Sequence, residues 1–151
     1  MGGTEVYLRS LLAAFARKPR GHSFVVFLNR ETGADLVPAH RDFRAVQTGV
    51  KAEARPRRIL YEQLRLPFNV RQEGIDVLFN PGFTAPLFAH CPNVSLIHDL
   101  QHHHHPEFFK RNDLLAWRFL VWAAAKESKR LLTVSEASRE DIHAVYGVPL
   151  A

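Results

Sequence analysis

Apolar positions recur along this chain with two periods. Tyr7, Leu8, Leu11, Leu12 and Phe15 fall at helical spacing, so Thr4 to Arg17 reads as an amphipathic helix. Pro19 and Gly21 end it. Ser23 to Leu28 holds the apolar run Phe24-Val25-Val26-Phe27, the pattern of a strand buried on both faces of a parallel sheet. Phe43 to Val46 is a weaker strand pattern. Arg57 to Arg71 has helical period, with Ile59, Leu60, Leu64 and Phe68 near one face and Pro67 breaking or kinking the run.

The second half repeats the alternation. Ile75 to Phe79 reads as a buried strand closed by Asn80-Pro81-Gly82, and Asn93 to Ile97 as another closed by His98-Asp99. Pro106 to Lys126 is helical, in two pieces. Arg130 to Val134 is a strand, and Ser135 opens a last helix that stops at Gly147 and Pro149. Strands alternating with helices predict an α/β fold, a Rossmann-like parallel sheet with helices on both faces. No low-complexity linker divides it, so residues 1–151 are expected to form one domain. A doubly wound fold begins with a strand that runs into its glycine turn. Here the glycines come first, so the first strand is expected to be missing, and the last helix ends where a further connection is expected.

Composition narrows the partner classes. The net charge is +5 and the sequence pI about 9.8, which fits a phosphate-bearing partner without choosing one. Cys91 is the single cysteine, so no intramolecular disulfide forms and a cytoplasmic compartment is expected. No basic region followed by an apolar run marks a signal peptide. The longest apolar stretch, Leu114 to Ala125, is interrupted by Arg118 and falls short of the roughly 20 residues of a membrane span. Lys51, Arg55, Arg57, Arg58 and Arg65 make a basic stretch that suits either a solvated surface or peripheral contact with anionic lipid. Aromatics interleaved on a basic sheet face are absent, so nucleic acid is not an expected partner.

Several segments carry candidate chemistry. Gly2, Gly3 and Thr4 open the first helix. Paired glycines let the backbone approach an anion, and first-turn N–H groups receive phosphate oxygens; Thr4 alone also reads as an ordinary N-cap. His98-Asp99 lies at the carboxyl end of a parallel strand, where ligand sites of open α/β sheets collect. An imidazole there donates to a sugar hydroxyl or to developing charge, with the carboxylate orienting it; the alternative is a pair of caps. His102-His103-His104-His105 is internal, unlike an affinity tag, and regular backbone cannot aim all of these rings at one metal, so a polar loop near the site is expected. Asn80-Pro81-Gly82-Phe83-Thr84 closes a strand on the same edge, as lining or as a turn. Tyr61-Glu62-Gln63 lies within a helix.

In order, these segments resemble glycosyltransferase family 4, the GT-B family of retaining enzymes. Gly2-Gly3-Thr4-Glu5-Val6-Tyr7 with Leu11-Leu12 resembles its glycine loop and first helix. Gly21-His22-Ser23-Phe24-Val25-Val26 resembles the opening of its second strand. Tyr61-Glu62-Gln63-Leu64 and Asp76-Val77-Leu78-Phe79-Asn80-Pro81 are similar to its mid-domain segments. Ile97-His98-Asp99-Leu100-Gln101 through His105-Pro106-Glu107-Phe108-Phe109 is the most specific likeness, followed by Val134-Ser135-Glu136-Ala137-Ser138 with Asp141-Ile142.

The resemblance implies the amino-terminal half of a GT-B fold, with a carboxyl-terminal donor domain outside these residues. It implies a nucleotide-diphosphate sugar donor and a glycan, lipid or small-molecule acceptor, with no metal and no cofactor. Gly2, Gly3 and Thr4 would approach the donor diphosphate. His98 would contact the transferred sugar with Asp99 in support, and Glu62, Asn80 and His102 would face the acceptor. The chain alone is expected to be inactive. Two other readings stand beside this one: a metal-dependent phosphohydrolase using His98-Asp99, which needs further His and Asp ligands, and a non-catalytic phosphate- or lipid-binding module.

Overall fold

The computed structural model describes residues 3–18, 21–51 and 54–150. Helix α1 (Gly3–Arg17) is followed by strands β1 (Phe24–Leu28) and β2 (Phe43–Gln47), then helix α2 (Arg55–Leu60), a π turn (Tyr61–Arg65) and helix α3 (Leu66–Gln72). Strands β3 (Leu78–Asn80) and β4 (Asn93–Leu96), helices α4 (Gln101–His104) and α5 (Arg111–Glu127), strand β5 (Arg130–Leu132) and helix α6 (Glu136–Tyr146) complete it. Every strand pairing is parallel, and helices flank the sheets. The chain divides into two compact units, residues 1–65 and 66–151. Among the described residues the strands make two sheets, β1-β2 in the first unit and β3-β4-β5 in the second, where the sequence suggests one.

In the first unit α1 buries Leu12 against Leu28 and Leu36, with Leu8, Val26, Val37 and Phe43 around them. Their spacing is the helical stripe of the sequence meeting the inward side of a strand. Phe15 stacks on Phe24 at 5.2 Å between centroids, and Phe24 on Phe43 at 4.6 Å, so one aromatic column ties α1 to both strands. Arg9 anchors α1 at its polar side, donating from Nη1 to the Asp35 carbonyl at 2.9 Å and from Nη2 to its carboxylate at 3.0 Å. Leu60 and Leu64 do not join this core; they are 59% and 66% exposed.

The expected break at Pro67 takes a definite form. Proline has no N–H for the carbonyl four residues back, and its ring crowds that turn. The helical run widens into a π turn just before it, at Tyr61–Arg65, one of the standard ways a helix absorbs such a fault.

In the second unit the strand expected at Ile75 to Phe79 forms as Leu78–Asn80. Gly74 is left-handed at φ 64°, the Gly74 N–H reaches the Arg71 carbonyl, and the Ile75 N–H reaches that of Val70 at 3.1 Å. That is a Schellman stop, so Ile75 still belongs to the end of α3. The main core gathers Ile97, Leu100, Val121, Ala125 and Ile142, with Phe83, Trp117, Leu131, Val145 and Tyr146 packed on it. Ala123, Ala124 and Ala125 are buried and small. Burying a side chain such as Ile142 stabilises the fold by about 1.5–3 kcal/mol.

Helix α6 starts and stops where the sequence places it. The Ser135 hydroxyl accepts from the Ser138 N–H at 3.1 Å, and Gly147 closes the helix in the left-handed region at φ 64°. Because β3, β4 and β5 run parallel, Asn80, His98 and Ser135 come out at the same edge of their sheet. Among the described residues no helix is long and apolar enough to cross a membrane.

Candidate active site

The carboxyl edge of β3-β4-β5 carries most of the titratable groups singled out in the sequence. His98 lies two residues beyond β4, half-buried, with its ring 5.5 Å from that of Phe83 and inclined at 53°. Phe83 in turn lies 5.9 Å from Trp117 of α5. Asp99 is exposed, and its Oδ1 accepts from the Gln101 N–H at 3.0 Å. It therefore caps α4 and keeps a carboxylate next to His98.

The four-histidine run forms the short helix α4 and the residue after it, where the sequence suggests a loop. Each ring has its own surroundings. His102 is 1% exposed, and its Nε2 lies 2.9 Å from the Tyr146 hydroxyl of α6. Burial lowers its pKa to about 4, with His103 and Arg118 adding to the effect, so the ring is neutral in neutral solution. Burial likewise raises the Tyr146 hydroxyl to about 12. His104 Nε2 lies 2.8 Å from both carboxylate oxygens of Asp141, and His105 Nδ1 lies 3.1 Å from Glu107. The Glu107 carboxyl is held below its ordinary range, first by a backbone hydrogen bond and then by His105. Two of these rings thus fasten α4 to α6.

Asn80 is buried at 7% exposure rather than open on the edge. Its amide donates to Asn93 Oδ1 at 3.3 Å and lies 3.5 Å from Ser95 Oγ; Asn93 donates to the Pro86 carbonyl, and Ser128 to Ser95 at 2.7 Å. A polar network inside a sheet is stable when its groups are satisfied, and this one fixes the loop after β3. The expected acceptor-facing positions Asn80 and His102 therefore both lie beneath the surface, supporting it.

Glu62 lies in the π turn of the first unit, half-buried, and accepts from Gln63 Nε2 at 3.2 Å. Gly3 and Thr4 form the first turn of α1, also in the first unit. Gly2 lies outside the described residues. Among the described residues no three His, Cys, Asp or Glu side chains gather into a set able to hold a metal ion, which is what the phosphohydrolase reading requires.

Trp117 and Tyr146 were not singled out by sequence reasoning, and Phe83 entered it only within the segment Asn80-Pro81-Gly82-Phe83-Thr84. Phe83 carried one available signal, a large aromatic directly after a Pro-Gly turn at a strand end. Trp117 and Tyr146 read as ordinary helix-face residues.

Parallel strands flanked by helices, with His98 and Asp99 just beyond β4, make this an α/β, Rossmann-like domain. The chain matches the family model described as Glycosyltransferase Family 4 over residues 1–151, and it belongs to that family. It has no significant match among curated proteins and none among solved structures.

Proposed function

We propose that residues 1–151 form the acceptor-side domain of a retaining glycosyltransferase, with the donor held mainly by a second domain outside these residues. The donor is a nucleotide-diphosphate sugar. The acceptor is a hydroxyl of a glycan, a lipid or a small molecule. In the reaction the bond from the anomeric carbon to the diphosphate oxygen breaks, and the diphosphate leaves with the electron pair. The acceptor oxygen forms the new bond to that carbon and passes its proton to the departing diphosphate oxygen.

His98 donates an imidazole N–H to the transferred sugar or to the charge developing on it. Asp99 supports that charge while capping α4. Gly2, Gly3 and Thr4, at the amino end of α1, offer backbone N–H groups to the diphosphate. Glu62 faces the acceptor. Asn80 and His102 serve the same side as positioning residues, since both are buried within the fold. No metal and no cofactor takes part. Leu60 and Leu64, exposed beside Arg57, Arg58 and Arg65, give the domain a peripheral contact for an anionic membrane.

The observation that carries this reading is His98 at the carboxyl end of β4, in a chain that matches the family along its whole length. The test joins this chain to a family-4 donor domain and incubates it with UDP- and GDP-sugars and a panel of acceptor glycosides and lipids. Mass spectrometry should detect an acceptor heavier by one sugar, and residues 1–151 alone should give none. Transfer by residues 1–151 alone would contradict the division of labour.

A further inference from the structure

Among the described residues Phe83 is the one residue other than glycine with a left-handed backbone, at φ 58°. That region is disfavoured for any residue carrying a Cβ, and doubly so for a bulky one. The conformation is held from both sides. The Phe83 N–H donates to the Leu96 carbonyl at 3.1 Å, and the Thr84 N–H to the Gly82 carbonyl at 2.6 Å. The second bond closes a three-residue turn with positive φ at its centre, the uncommon γ-turn. Glycine would fit this position without strain. Yet the glycine of the turn is the preceding residue, where a Cβ would meet nothing within 4 Å.

The strained backbone presents a ring. Phe83 is half-buried, as are His98 and Trp117, whose rings lie 5.5 Å and 5.9 Å from it at 53° and 49°. The chain after Phe83 and the neighbouring strand end are closed: Thr84, Ala85, Pro86, Leu96 and Ile97 are buried. Phe83 thus borders two other partly open rings beside the carboxyl end of β4, where ligands of open α/β sheets bind. Strain kept at such an edge points to a ligand-facing role.

A pyranose has one face of C–H groups bearing slight positive charge, and an aromatic face is negative, so the two attract. We propose that Phe83 and Trp117 form an aromatic shelf beside His98 that receives the apolar face of a sugar ring, making Phe83 a specificity-determining residue. This rests on the glycosyltransferase reading and names the sugar contact within it. A purely core role for Phe83 needs apolar volume; the shelf needs an aromatic face. Leucine keeps the first and removes the second.

The chain is titrated with methyl α-D-glucopyranoside, methyl α-D-mannopyranoside and methyl α-D-galactopyranoside while NMR follows the Phe83 ring and Trp117 indole resonances. At least one glycoside should shift both rings, with saturation transferred to its C–H face. Phe83→Leu should weaken that binding about tenfold, a loss of about 1.4 kcal/mol, and Phe83→Tyr should bind as the parent does. Phe83→Gly should bind weakly yet melt no lower than Phe83→Leu, because its backbone strain is relieved. The shelf is overturned if no glycoside moves these rings, or if Phe83→Leu binds as the parent does. Either result leaves the transferase reading standing, since that reading fails on transfer rates instead. Should Phe83→Leu not fold, the parent shifts and Phe83→Tyr still decide the matter.

Discussion

His102 of α4 and Tyr146 of α6 meet at 2.9 Å between Nε2 and the hydroxyl, inside the second unit. The contact joins residues 44 positions apart in sequence and fixes the turn that follows His98-Asp99. It also makes the fold sensitive to acid. Unfolded, the ring takes a proton below about pH 6.5, whereas in the folded protein burial defers this to about 4. The unfolded state therefore binds more protons in that window. Stability is fully present above the unfolded value and declines as pH falls toward the folded one, by at most about 3 kcal/mol. Urea midpoints measured from neutral pH down to about pH 4.5 should show the decline. In His102→Phe the part due to this ring should vanish; an unchanged slope in that variant would assign the acid sensitivity to other groups.

Ser135 is the side-chain cap of α6, accepting from the Ser138 N–H at 3.1 Å. Ser135→Ala leaves that N–H without its partner and should lower stability by about 1 kcal/mol. Ser135→Asp should hold close to the parent, because a carboxylate accepts the same bond and suits the positive end of the helix. Thermal melts of the two variants give the comparison, and equal losses in both would deny the cap its role.

Cys91 is buried, and burial raises its thiol above the ordinary range. Both effects suppress the thiolate that reacts. Labelling by a disulfide reagent should be slow in the native protein and fast in urea. Fast labelling without denaturant would mean that the segment between β3 and β4 opens readily.

The alternation of helix and strand was legible because buried parallel strands read as short apolar runs and α6 carries both of its end signals, Ser135 and Gly147. The His98-Asp99 position was legible for the same reason: the run Asn93 to Ile97 fixes where β4 stops. Tertiary partners were not. Period alone marks Leu60 and Leu64 as one helical face but does not say what that face meets, and both are exposed. Four adjacent histidines look alike in sequence, yet only His102 points into the core, because its partner Tyr146 comes from a helix far along the chain. Asn80 has the composition of a turn residue, and its burial depends on Asn93 and Ser95 of the neighbouring strand. The Schellman stop at Gly74 delayed β3 past Ile75, a shift set by two backbone bonds that no hydrophobic pattern displays.

The central claim is that His98 acts on the sugar being transferred. Its most direct test is the single-turnover rate of sugar transfer by this domain joined to a family-4 donor domain, for the parent and for His98→Ala, with acceptor affinity measured alongside. The rate should fall by about 10² or more while acceptor affinity changes little, as removal of a transition-state contact requires. A rate equal to that of the parent would contradict the account and leave His98 as a residue that merely ends β4.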